Sequence, residues 1–424
     1  LRVGPQLGRA WRRLASALSA NWAALLLGAV ASVPVVVACV RAATHGWWPE
    51  GDDAIIGLKA GDVFGGHPPL MGMRSTSQLL RPDLATHHPG PLQFYLLAVP
   101  QALAGSRPAG LLVGTALLGV LTVLAVAVLA HRRGGVPLAA TMLGALVAVE
   151  WAVGPGTLFR LLNPYPAVLP ILLLLMLAWA LLCDDAGWLW VYALTASFVA
   201  QAHLAYLPVV LGLTAALAAV GLVRWRRRRD AFWPMAGWRP AGGRRFGHGW
   251  RAVAVLAACW LPVAIESVTY SPSNSTLLLR YATADVSQQL LGTGRAAALV
   301  VRSLAPIPGG FAPLPEDAGH NPVYQSPGVL AVLLGLGVLA GLVAISARGR
   351  WRRAARARRG PATGAAVAVY ALVVTAATVA GTPATAFGLV PRYYVLAVWP
   401  VAAFALGLVG WQLGAALRRL PWAA

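Results

Sequence analysis

Two adjacent aspartates, Asp52 and Asp53, open the stretch GDDAIIGLKAGDV in a chain that has only 13 acidic residues among 424. The stretch reads as a short amphipathic helix with Ile55, Ile56, Leu58 and Val63 available to a membrane surface. An acid at a helix start is favoured by the helix dipole and by free backbone N–H groups, but capping explains one aspartate more easily than two. One of the pair fits a general base, because a partly desolvated carboxylate at a membrane boundary holds a proton more readily near neutral pH. Adjacent carboxylates also fit a divalent cation. A second stretch, THHPGPLQFYLLAVP over residues 86–100, sets His87 and His88 before a Pro-Gly-Pro turn. These histidines either bond the loop or hold a phosphate oxygen.

Other candidates follow from position. Arg392 in VPRYYVLAVWP stands at the mouth of the last apolar run, where its guanidinium either clamps a phosphate bidentately or anchors the interface beside Tyr393 and Tyr394. Gln201 and His203 occupy a tight turn, AQAHLAYLP. Gln201 is placed to meet sugar hydroxyls, while His203 also suits a plain turn histidine. Asn163 and Tyr165 share a turn that Pro164 and Pro166 explain unaided. Glu150 and Glu266 lie inside apolar runs near their ends, where an acid faces a polar cavity or reaches for the interface. The segment PLPEDAGHNPVY, with Glu316, Asp317 and a solvated His320, reads as a surface lid or acceptor-facing loop.

Hydrophobic residues form 58% of the chain, charged residues 11%, and the mean hydropathy is +0.67, so the fold class is an all-α integral membrane protein. No roughly ten-residue alternation of a β-barrel strand is visible. Apolar runs fall near 21–43, 109–130, 136–155, 165–183, 187–200, 204–223, 251–269, 328–346, 364–381 and 393–417. Residues 92–104 are too short for a crossing and contain Pro100, which fits an interfacial or re-entrant helix. The net charge of +21 sits in clusters beside apolar runs: Arg12-Arg13, Arg132-Arg133, Arg224 to Arg229, Arg348 to Arg359 and Arg418-Arg419. That is the pattern of cytoplasmic loops, not of a nucleic-acid surface. Ten crossings with the N-terminus in the cytoplasm put every one of those clusters inside. Residues 44–108 and 270–327 then form outer loops that collect Glu50, Asp52, Asp53, Asp62, Asp83, Asp285, Glu316 and Asp317, while Asp184, Asp185 and Asp230 stay inside. The chain divides into a transmembrane module over 1–269, the second outer loop over 270–327 and C-terminal helices over 328–424. Cys39, Cys183 and Cys259 lie in or at the ends of apolar runs and do not form a disulfide framework. The first 43 residues read as a span that is retained. One lysine against 33 arginines hints at a GC-rich bacterial genome.

An acidic pair just after the first span, an outer-loop helix, and HHPGPLQFY ahead of an aromatic-rich apolar helix resemble the GT-C superfamily of membrane glycosyltransferases. That group includes protein mannosyltransferases, aminoarabinose transferases and actinobacterial arabinosyl and mannosyl transferases. Its members often show Asp-Glu where this chain has Asp52-Asp53, and HPPLYY-like text where it has HHPGPLQFY. The resemblance implies a GT-C-like fold of about ten transmembrane helices, with interfacial helices in the first outer loop and a second outer loop after the seventh span. It implies an inverting glycosyltransferase in the bacterial plasma membrane, active on the outer face. The donor would be a polyprenyl-phosphate sugar and the acceptor a cell-envelope glycan, lipid or protein. Asp52, the first acid of the pair, would be the base, with Arg392, His87 and His88 at the donor phosphate and Gln201, His203, Glu150 and Glu266 near the substrates. No cofactor is required by that chemistry; Asp in place of Glu at the second position leaves a divalent cation open. The alternatives are a multi-span transporter or flippase of lipid-linked sugars, against which the lack of an internal repeat speaks, and a non-catalytic scaffold.

Overall fold

A computed structural model describes residues 19–77, 81, 83–154, 158–227, 248–284, 289–305, 326–351, 359–384 and 392–419. Among them there is no strand, only two isolated bridges, and the fold is all-α. Seven helices are long and apolar enough to cross a membrane. Asp285, Glu316, Asp317, His320 and the pairing of most of the 224–251 and 348–359 segments lie outside the described residues.

The first long helix, α1 (Ser19–Thr44), packs along α4 (Pro108–Val153). At about 1.5 Å per residue α4 runs to roughly twice the hydrocarbon thickness. Its backbone leaves helical geometry at Gly134 and Gly135. Gly135 has φ +68°, a region only glycine enters freely, and Pro137 follows where a restarting helix tolerates the missing N–H. The expected runs 109–130 and 136–155 are therefore the two legs of one broken helix. The expected runs 165–183 and 187–200 appear as α5 (Val168–Leu182) and α6 (Leu189–Ala202), helices of 15 and 14 residues. Both are shorter than the ~20 residues of a simple crossing. α5 is apolar all round and buried from Val168 through Leu181, as a helix enclosed by its neighbours must be.

The remaining long helices are α7 (Leu207–Arg227), α8 (His248–Thr269), α11 (Val329–Trp351), α12 (Arg359–Ala380) and α13 (Val398–Leu417), with the shorter α9 (Asn274–Thr283) and α10 (Gly292–Ser303) between α8 and α11. α13 makes the most extensive helix contact, along α4. Small residues permit that approach: a Cβ on Gly407 would stand 2.9 Å from the Met142 Cα. Trp179 meets Phe404 edge-on at 6.1 Å, and its indole N–H donates to the Gly360 carbonyl at 2.6 Å. At the C-terminal end of α5, Arg133 donates to the Ala180 carbonyl at 2.7 Å and lies 3.9 Å from Asp185. The basic break of α4 thus sits at one end of α5, and the candidate site at the other.

Between α1 and α4 lie α2 (Asp52–Asp62) and α3 (Leu92–Leu103). They share a small core of Ile56, Ala60, Met73, Phe94 and Leu97, and Gln101 donates to the Gly57 carbonyl at 3.0 Å. Ile55, Leu58 and Phe64 on one side, and Leu96, Val99 and Leu103 on the other, are exposed, a face suited to a bilayer interface. Twelve residues make α3 about 18 Å long, too short to cross.

The α4–α13 contact gives a direct test. Gly407→Ala must push into the Met142 backbone and should cost about 1–3 kcal/mol, read as a lower melting temperature in detergent. Gly414→Ala, which meets nothing within 4 Å, should cause no loss.

Candidate functional site

The site is organised by the segment between α4 and α5. Residues 158–167 contain Pro164 and Pro166 and belong to no regular element, so their backbone groups need side-chain partners. Asp53, in the first turn of α2, accepts the N–H of Leu161 at 3.1 Å and of Leu162 at 2.8 Å through one oxygen. Gln93 of α3 donates to the Leu161 carbonyl. Asn163 donates to the carbonyl of Ala202, the last residue of α6. Tyr206, just before α7, donates to the Pro164 carbonyl at 2.9 Å. Four elements thus converge on one irregular turn. Burial raises the proton affinity of Asp53 above the usual carboxylate value, against the Leu162 N–H, the Arg160 charge and the Leu161 N–H, and with the Asp52 charge adding to the rise.

Asp52 is placed differently. Its side chain is exposed, and among the described residues it makes no hydrogen bond or ion pair. The Tyr393 hydroxyl is pushed far above its ordinary value, first by burial, then by Tyr394 and Asp52. The two aspartates therefore divide their work: one fastens, the other faces outward.

Beside them lies a buried cluster of rings. His88 and His203 stack with centroids 4.6 Å apart and planes at 34°. The Nδ1 of His88 accepts the Leu204 N–H at 3.3 Å, and that of His203 accepts the Ala205 N–H at 3.2 Å. In each neutral ring the proton is therefore left on Nε2, which makes both donors on that side. Tyr206, Tyr393 and Tyr394 surround His203 with centroids at 5.4, 6.1 and 5.8 Å, and Tyr394 shares a hydrogen bond with Thr76. Burial holds both imidazoles neutral, His88 well below its ordinary value and His203 down to about 3. His88 is thus a neutral donor rather than an imidazolium.

Several of the candidate ligand residues bond to backbone groups. Gln201 is bonded at both ends of its amide: its Oε1 accepts the Leu92 N–H at the start of α3 (3.1 Å), and its Nε2 donates to the Cys259 carbonyl (2.9 Å). Gly90 leaves it room, since a Cβ there would lie 2.3 Å from that Oε1. Glu266 accepts the Asn274 N–H at 2.7 Å, and its other oxygen is buried without a partner. Glu150 is 1% exposed, has neither oxygen bonded, and lines a small cavity with Val35, Thr115, Leu158 and Tyr165. His87 is tied through its backbone to Asn274. Arg392 belongs to the 3₁₀ turn Arg392–Val395, and its side chain is outside the described residues.

Among the described residues no three His, Cys, Asp or Glu side chains come together to hold a metal ion. One oxygen of Asp53 is spent on two backbone N–H groups. Asn274 and Tyr206 were not singled out as site residues by the sequence. For Asn274 a signal existed in SPSNST, where Ser273 accepts the Thr276 N–H as a helix cap.

The buried histidines set a pH dependence. Their folded proton affinities are depressed, so the unfolded chain takes up protons first. The stability they contribute is fully present above about pH 6.5 and is lost as pH falls toward the folded values, at about 1.4 kcal/mol per proton per pH unit. The melting temperature in detergent should drop between pH 7 and pH 5, and His203→Gln should flatten that drop; an unchanged slope would contradict it.

No protein-family model, curated protein or solved structure matches this chain. The chemistry of the site is carried by its own residues.

Proposed function

We propose that the chain is a GT-C-like inverting glycosyltransferase, with ten crossings and a cytoplasmic N-terminus, in a bacterial plasma membrane. It moves a sugar from a polyprenyl phosphate to a cell-envelope glycan, lipid or protein on the outer face. The observation that carries this is the division between the aspartates. Asp53 accepts two backbone N–H groups of the 158–167 turn, while Asp52, one residue earlier, is exposed. A carboxylate so placed can take the proton from an acceptor hydroxyl as that oxygen attacks the anomeric carbon. The bond from that carbon to the phosphate oxygen breaks, and the phosphate leaves with the electron pair. Its charge needs compensation by donors and cations rather than protonation. The exposed apolar faces of α2 and α3 support a lipid-borne donor.

The transporter reading draws on one observation, the unbonded carboxyl of Glu150 inside α4. The two separate in one experiment. Purified protein in lipid vesicles is offered polyprenyl-phosphate-linked arabinose, mannose, glucose and galactose with envelope acceptors. Wild type should transfer one of these sugars, and Asp52→Asn should lower the rate at least about a hundredfold with its melting temperature unchanged. Movement of the lipid-linked sugar across the vesicle without transfer, sensitive to Glu150→Gln and not to Asp52→Asn, would replace this reading with the transporter.

A further inference from the structure

Near the end of α4 stands a carboxyl group that no bond in the fold explains. Glu150 is 1% exposed, and neither of its oxygens has a hydrogen-bond partner. Among the described residues no lysine, arginine or histidine lies within ion-pair distance of it. An acid taken out of water without a partner is costly, so its charge has to be met from within the same space.

That space is a cavity of about 30 Å³. A water-sized particle needs roughly 10–15 Å³ of it, so one or two fit and a sugar or a headgroup does not. The break of α4 at Gly134 and Gly135 lets Thr115 on one leg and Glu150 on the other line the same cavity, although a continuous helix would hold them about 50 Å apart. α1 walls it with Val35, the first leg of α4 with Leu118 and Gly119, and the start of α5 with Val168 and Leu169, all apolar. The 158–167 turn adds Leu158, Tyr165 and Pro166. The ionisable groups beside these walls are the Tyr165 phenol, the Arg160 guanidinium 5.9 Å over its ring, and Tyr393. Tyr393 lies at the edge of the apolar cluster that packs Val149, Tyr165 and Val168 against Trp399. The Thr115 hydroxyl donates to the Leu111 carbonyl at 3.0 Å, which leaves its oxygen only the capacity to accept. Two carboxyl oxygens and this hydroxyl oxygen form an acceptor set, suited to a cation and not to an anion.

We infer that Glu150 and Thr115 form a site for one small monovalent cation, a proton or a dehydrated sodium ion. One carboxylate neutralises one charge. A divalent ion takes about six or more oxygen ligands, and the three oxygens of Glu150 and Thr115 fall short of that. A proton on the carboxyl finds its acceptor in Thr115, directly or through one water; a sodium ion draws on the same three oxygens. The turn that Asp53 fastens is one wall of the cavity, so filling the site and holding the turn support each other. The inference rests neither on the glycosyltransferase reading nor on transport.

Infrared spectra of the protein in lipid vesicles at neutral pH read the carboxyl directly. A proton predicts a neutral-acid carbonyl band that Glu150→Gln removes and that replacing sodium by N-methylglucamine leaves in place. Sodium predicts a carboxylate band, also removed by Glu150→Gln, that shifts saturably with sodium chloride and not with N-methylglucamine chloride. Thr115→Val keeps the shape of the side chain and removes its oxygen. It should move the acid band to higher frequency, or raise the sodium midpoint about tenfold. This arm leaves Glu150 in place, so it decides the question even where Glu150→Gln does not fold. A carboxylate at Glu150 that ignores sodium, or a Thr115→Val spectrum with band and sodium midpoint unchanged, overturns the site. Neither result touches the glycosyltransferase reading, which the sugar-transfer assay decides separately.

Discussion

One end of this helical fold depends on one carboxylate oxygen. Asp53 accepts two consecutive backbone N–H groups from a turn 108 and 109 residues further along the chain. That turn holds two prolines and no regular hydrogen-bond ladder, so it cannot satisfy itself. Once Asp53 fixes Leu161 and Leu162, the other partners of the turn fall into line. Gln93 brings α3, Asn163 meets the end of α6, and Tyr206 brings the start of α7. The segment that carries α2 and α3 is thereby registered against the long apolar helices, and Asp52 is left exposed.

Beneath this layer the packing is almost wholly apolar. α5 is enclosed on every side, and α13 lies against α4 where Gly407 lets the backbones approach. Polar side chains appear mainly as fasteners at the helix ends. Gln201 joins α3 to α8 through one amide, and Asn274 joins the start of α9 to the edge of the first loop. Buried polar groups of this kind fix geometry because leaving either end unmade costs more than the bond returns.

The helices were legible because apolar length alone marks them. The break in α4 was legible as well, in the HRRGGVP text between two apolar runs. The 14 residues of α6 match its apolar run, while α5 is shorter than its run, since enclosure by neighbouring helices removes the need to match a bilayer by length. At the site the aspartate pair stood out for its rarity. Its division of labour did not, because the partners of Asp53 are main-chain groups that carry no residue signature. Gln201 and Glu266 stood out for their polarity, and the backbone groups they bond carry no residue signature. The stacking of His88 on His203 joins a loop to a helix junction 115 residues away, which no local pattern encodes.

The central claim is that Asp53 holds this end of the fold together while Asp52 does not. The most direct measurement is the unfolding stability of Asp53→Ala and Asp52→Ala side by side in one detergent. Asp53→Ala leaves the Leu161 and Leu162 N–H groups without their acceptor and should cost about 2 kcal/mol or more, whereas Asp52→Ala should stay within about 1 kcal/mol of wild type. Equal losses, or a larger loss at Asp52, would contradict the account.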